Sequence, residues 1–182
     1  MQSEQLRALQ APLKEKYRAE PEAARITLTA QGRIGEGVTC KIETGKGLVA
    51  AGLHPATGGD GLAACSGDML LEALSACAGV TLNAVATALG IALDDAVITA
   101  EGDLDFRGTL GVSKEAPVGF QAIRLHFDLQ TNADDEQVAT LLRLTERYCV
   151  VLQTLRHAPA ISVSHHTGDH ASGDRAEWTD PQ

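Results

Sequence analysis

Two cysteines carry the chemistry this chain offers. Cys77 sits inside the apolar run Met69-Leu70-Leu71-Glu72-Ala73-Leu74-Ser75-Ala76-Cys77-Ala78-Gly79-Val80-Thr81-Leu82, and Cys149 lies far downstream on the apolar face of a second helical pattern. A thiolate attacks peroxide oxygen or disulfide sulfur, so a reactive cysteine needs an ionised thiol and a cation to hold it. It also needs a second thiol that captures the sulfenic acid before it over-oxidises. If the fold brings Cys77 and Cys149 together, the pair suits redox catalysis. If it does not, each packs as a small buried hydrophobe.

The helical neighbours of Cys77 by spacing are Leu70, Ala73, Leu74, Val80, Thr81 and Ala84. None is cationic, so an activating charge must come from another element or from a second subunit. The other two cysteines are Cys40, on the apolar side of a strand pattern, and Cys65, just before the helix. A helical Cys65 would lie about 18 Å along the axis from Cys77, too far to bridge. No C-x-x-C occurs, which counts against thioredoxin-type exchange and zinc ribbons.

Other chemistry-bearing residues have weaker settings. His54 precedes Pro55 and a Gly-rich loop leading to the Cys77 helix, where an imidazole suits proton delivery. Gly58-Gly59-Asp60-Gly61 lacks the Lys-Ser/Thr of a phosphate loop. His165, His166 and His170 border a polar tail and suit adventitious metal binding only, and His126 falls on the polar side of its strand. No cofactor or resident metal is expected.

The elements that must position these groups follow from periodicity. Residues 2–19 read as an amphipathic helix with Leu6, Leu9 and Leu13 as its stripe, ended by Pro21. Alternation from Arg25 to Ala30, again from Val38 to Glu43, and at Leu48-Val49-Ala50, predicts three strands joined by Gly-rich turns as an antiparallel meander. Residues 31–37 read as the first of those turns. Ser66 reads as the N-cap of a long, buried helix with Asp68 in its first turn, stopped at Gly90. Strands are expected at 97–106 and 123–129, joined by a long hairpin connection. One or two helices follow from 131 to 155, then a short strand at Ile161 and Val163. The order is α-βββ-α-ββ-α-β. We divide the chain into an N-terminal helical arm (1–24), one α+β domain (25–166) and a disordered tail (167–182).

The 182 residues are 44% hydrophobic but only 3% aromatic, so Ala, Leu, Val and Ile must fill the core through close helix packing. Lys and Arg total 15 against 24 Asp and Glu, a net charge of −9 that disfavours nucleic acid and anionic membranes as partners. Glu72 is expected to keep the longest apolar stretch below membrane-spanning length. The N-terminus lacks a signal-peptide pattern, so a cytoplasmic location is expected. There the cysteines are not a structural disulfide framework.

The segment from Ser66 to Leu82, with Cys77 about three turns in, resembles the central-helix motif of the OsmC/Ohr family. Glu146-Arg147-Tyr148-Cys149-Val150-Val151 resembles that family's second-cysteine region, and the strand order from Arg25 to His166 is similar. The resemblance implies an OsmC-like fold, with antiparallel strands around a long buried central helix, in an intertwined homodimer with composite sites. It implies a thiol peroxidase acting on organic hydroperoxides and regenerated by an external dithiol reductant. Cys77 would be peroxidatic and Cys149 resolving. Gln31-Gly32-Arg33-Ile34-Gly35 resembles the turn carrying the family's arginine, which makes Arg33 the candidate cation. Two positions depart from the pattern: Gly67 stands where the family often has glutamate, and Val150 where it often has proline. Asp68, next to Gly67, would point about 180° from Cys77 on a regular helix. It is an accessory candidate, as is His54. The competing reading is a non-catalytic protein of the same fold that binds a small apolar ligand at the dimer interface. A general thiol–disulfide reductase is a third.

Overall fold

The computed structural model describes residues 3–34, 40–42, 51–165 and 176–178, with side chains for 8–26, 51–163 and 165. The N-terminal helix α1 (Ser3–Ala19) runs through Pro12 and leads into a 3-10 turn at Pro21–Ala24. It is less an arm than part of the body. Tyr17 is 3% exposed, Leu13 packs on the same core, and the Tyr17 hydroxyl donates to the Ala56 carbonyl at 2.7 Å.

Strands β1 (Arg25–Ile34), β2 (Cys40–Ile42), β5 (Asp95–Asp105) and β6 (Ala122–Gln130) form one antiparallel sheet in the order β2-β1-β5-β6. The expected meander is corrected in two places. β1 continues through residues 31–34, which had been read as turn. The third expected strand, 48–50, lies outside the described residues. The next strand, β3 (Ala51–Gly52), leaves the sheet to pair in parallel with β4 (Ala64–Cys65).

Helix α2 (Ser66–Leu89) fills the centre and packs on β1 and β5 and against two later helices. Its cap position is Cys65 rather than Ser66, and no side chain caps it. Gly90 ends it in the left-handed conformation at φ 68°, the backbone a side chain would disfavour. Leu71, Leu74, Ser75, Ala78, Gly79, Leu82 and Ala86 are its buried stripe. Ala96, Ile98 and Ala100 of β5 meet the same core, and small residues on both elements permit the close approach. By length and composition α2 does reach membrane-spanning size, so Glu72 does not interrupt it as expected. Its packing on the sheet is that of a core helix.

After β5 a helical turn α3 (Phe106–Thr109) takes the place of a plain hairpin connection. Asp105, 2% exposed, accepts from the Arg107 backbone N–H at 3.0 Å and pairs with its guanidinium at 2.5 Å. Helix α4 (Asp135–Tyr148) opens on a full capping box between Asp134 and Gln137. Helix α5 (Val150–Arg156) follows after a single-residue break at Cys149. Strand β7 (Val163–His165) pairs antiparallel with β8 (Ala176–Trp178), so the segment expected as disordered tail contributes a strand.

Candidate functional site: a thiol pair at a helix break

The break at Cys149 is what builds the site. At ψ 105° Cys149 ends α4 and starts α5, donating to the Thr145 carbonyl and accepting from Gln153 N–H, both at 2.9 Å. The Glu146 carbonyl is satisfied by the Gln153 side-chain amide at 2.7 Å. The first N–H groups of α5 have no carbonyl one turn back. Those of Val151 and Leu152 are directed at the Cys149 sulfur.

Cys149 is fully buried and its thiol lies close enough to half-buried Cys77 to interact with it; both are reduced. The fold thus brings the two sequence-separated thiols together. Burial pushes the Cys149 thiol up to about 11. The Leu152 and Val151 N–H groups oppose that rise, and contact with Cys77 reinforces it. Cys149 therefore keeps its proton at neutral pH and can donate it toward Cys77.

Of the remaining candidates, Asp68 and His54 lie apart from that pair. Arg33 sits on β1, not on a turn, in register with Lys41 of β2 and Val97 of β5. Its side chain is outside the described residues, as is that of Cys40. Asp68 and His54 stand together at the start of α2. Burial raises the Asp68 carboxyl above the usual carboxylate range, and the His54 charge opposes the rise. Nine residues separate Asp68 from Cys77, about 14 Å along the axis, so these two do not join the thiol pair. The His54 ring stacks on Phe106 at 5.1 Å, and its Nδ1 accepts from Ala56 N–H at 3.0 Å. That bond leaves the proton of the neutral ring on Nε2. His54 and Cys65 line a separate cavity of about 330 Å³. Among the described residues no His, Cys, Asp and Glu group could hold a metal ion.

A cavity of about 370 Å³ lies by the α4–α5 break, though neither thiol lines it. Leu74, one turn before Cys77, and Leu152, three residues after Cys149, both line it. Phe120, Ile123, Leu125, Phe127 and Leu155 complete an apolar wall. Gly102 makes room for Phe120, since a Cβ there would lie 2.4 Å from its ring. The charged lining residues are Glu146 and Arg156, paired at 2.9 Å. Sequence reasoning passed over both. They are ten residues apart, about 15 Å on a straight helix, and only the break at Cys149 lets α5 fold back to close the ion pair.

On Cys77's own helix, Leu70, Ala73, Val80 and Ala84 are exposed, as is Met69 beside them. The apolar face around the more accessible thiol is thus uncovered in a single chain.

A central apolar helix on an antiparallel sheet, with one thiol on it and a second at a helix break, defines an α+β dithiol protein. The family model for OsmC-like protein matches residues 58–164, and the chain belongs to that family. The fold resembles an OsmC-like hydroperoxide resistance protein from Jannaschia sp. CCS1, at 17% identity and TM-score 0.57, over 85% of this chain and 99% of that one. It also resembles an OsmC-like protein from Mycoplasma pneumoniae, at 16% identity and TM-score 0.52, over 70% and 86% of the two chains. No curated protein matches the sequence.

Proposed function

We infer that this chain is a thiol peroxidase that reduces organic hydroperoxides through Cys77 and Cys149. The observation that carries the reading is the contact between the two thiols, one half-buried and one fully buried. The accessible thiol, as thiolate, attacks the terminal peroxide oxygen. The O–O bond breaks, the alkoxide leaves and is protonated to the alcohol, and Cys77 becomes a sulfenic acid. Cys149 then bonds to the Cys77 sulfur. Its proton leaves with the hydroxyl as water, and the disulfide is returned to two thiols by an external dithiol. A protonated Cys149 suits the second role, because it does not compete as first nucleophile. Arg33 is the candidate for holding the Cys77 thiolate. The apolar residues around Cys77 favour organic over hydrogen peroxide.

The uncovered apolar stripe of α2 supports a homodimer in which a second copy covers the Cys77 face. The non-catalytic reading keeps one observation in its favour. Gly67 stands at the family's glutamate position, and its neighbour Asp68 interacts with His54 instead.

The test is hydroperoxide consumption with a dithiol reductant in the wild type, Cys77→Ser and Cys149→Ser. Wild type should turn over, Cys77→Ser should be silent, and Cys149→Ser should give one equivalent of alcohol before stalling. Wild-type consumption no faster than that of Cys77→Ser removes the peroxidase reading.

A further inference from the structure

The break between α4 and α5 has a continuous helix as its competitor. Closing it would return the N–H groups of Val150, Val151 and Leu152 to the carbonyls of Glu146, Arg147 and Tyr148, one turn back. The sequence there holds neither glycine nor proline to forbid that. A side chain has to keep the two helices apart.

Gln153 is placed to do so. Its backbone N–H donates to the Cys149 carbonyl at 2.9 Å, an ordinary first bond of α5. Its side-chain amide reaches seven residues back and donates to the Glu146 carbonyl at 2.7 Å. One residue thus grips both sides of the break, and its amide competes for the acceptor that the Val150 N–H would use. Among the described residues the other side-chain bond across the break joins Arg156 to Glu146, with side chains 50% and 45% exposed. An ion pair so open to solvent contributes little. The Gln153 bond is partly buried, where losing the donor leaves a desolvated carbonyl.

What the break positions is Cys149 itself, fully buried, with its sulfur beside Cys77 and the Val151 and Leu152 N–H groups directed at it. We propose that Gln153 is a positioning residue for the resolving step: its amide holds the break that keeps the Cys149 thiol within reach of Cys77. It touches no reacting atom. In that step the Cys149 sulfur bonds to the Cys77 sulfenic sulfur, and the hydroxyl leaves with the thiol proton as water. This role rests on the peroxidase reading for its kinetics and not for its thiol–disulfide equilibrium.

The experiment uses the full-length protein with Gln153→Met, which removes the donor, Gln153→Glu, which keeps the shape but as a carboxylate only accepts, and Gln153→Lys, which restores a donor. Each reduced protein receives one equivalent of an organic hydroperoxide, and rapid quenching with mass spectrometry follows Cys77 sulfenic acid, trapped by dimedone, and the disulfide. Gln153→Met and Gln153→Glu should form the sulfenic acid at the wild-type rate but close the disulfide about tenfold more slowly, the worth of one partly buried hydrogen bond. Gln153→Lys should recover part of the loss. Separately, equilibration with glutathione redox buffers reads the Cys77–Cys149 disulfide without peroxide, and its formation constant should fall by a similar factor in the first two variants. Should Gln153→Met not fold, Gln153→Glu carries the comparison. Wild-type closure in the variants, equal slowing of both steps, or a loss that Gln153→Lys does not relieve overturns the assignment. If no hydroperoxide oxidises Cys77, the peroxidase reading fails and the glutathione equilibrium decides alone. A constant lowered in Gln153→Met and raised again in Gln153→Lys sustains the positioning role, and an unchanged constant overturns it.

Discussion

The Cys149 proton can be read through protein stability. Its thiol lies near 11 in the folded protein against an ordinary value of 9.0, chiefly through burial. Between these values the folded chain holds a proton that the unfolded chain has lost. Stability linked to Cys149 is therefore full below about pH 9 and falls as pH rises toward 11. The difference corresponds to a few kcal/mol when complete, with roughly half of it gone by pH 10 and most of it by pH 11. Lysines and tyrosines titrate in the same range, so the quantity to measure is a double difference. Urea unfolding of reduced wild type and Cys149→Ala is followed at pH 8, 9, 10 and 11. The wild-type advantage should shrink along that curve while the common titrations cancel. An advantage constant to within about 0.5 kcal/mol across the series would refute a buried, proton-holding Cys149. It would remove the basis for placing the attacking thiolate on Cys77.

Two further perturbations test the frame that holds the thiols. A Cβ at Gly59 would fall 1.7 Å from the Leu53 carbonyl oxygen, and none of the backbone there can yield cheaply. Gly59→Ala should therefore cost more than about 3 kcal/mol by urea unfolding, while Gly119→Ala, which meets nothing within 4 Å, should stay within about 0.5 kcal/mol. The Arg107 guanidinium beside Asp105 holds its carboxyl below the usual range, with burial opposing. That stability is present above the ordinary carboxylate value and is lost as pH falls through the depressed one. Asp105→Asn should cost about 2–3 kcal/mol at pH 7, and the gap to wild type should close as pH falls below the ordinary carboxylate value through the depressed one.

The legible parts of the chain were those with local punctuation. Gly90 as the stop of α2, acids at the start of α4 and the alternation of Ile123, Leu125, Phe127 and Leu129 each carry their reason within a few residues. Residues 31–34 misled because Gly32 reads as a turn residue. In the sheet it pairs with both Ile42 and Ile98, held by strands on either side. The helix expected over residues 2–19 includes Pro12, and α1 runs through it. The burial of Tyr17 against a distant loop offsets what one proline costs.

The site shows the same division more sharply. Cys77 and Cys149 were identifiable as residues, since each lies on an apolar helical face, but their meeting was not readable from spacing. It depends on a helix break with neither glycine nor proline at it, where Tyr148, Cys149 and Val150 offer no local signal. The break persists because its hydrogen bonds are replaced rather than lost. The Gln153 amide takes the Glu146 carbonyl, and the Val151 and Leu152 N–H groups turn to the Cys149 sulfur. A continuous helix would restore three backbone bonds, from the N–H groups of Val150, Val151 and Leu152, but it would carry Arg156 away from Glu146. One unmarked bend thus sets the thiol contact, the environment of the Cys149 proton and the charged end of the cavity together. A substitution at Gln153 should consequently disturb all three, although its side chain does not line the cavity.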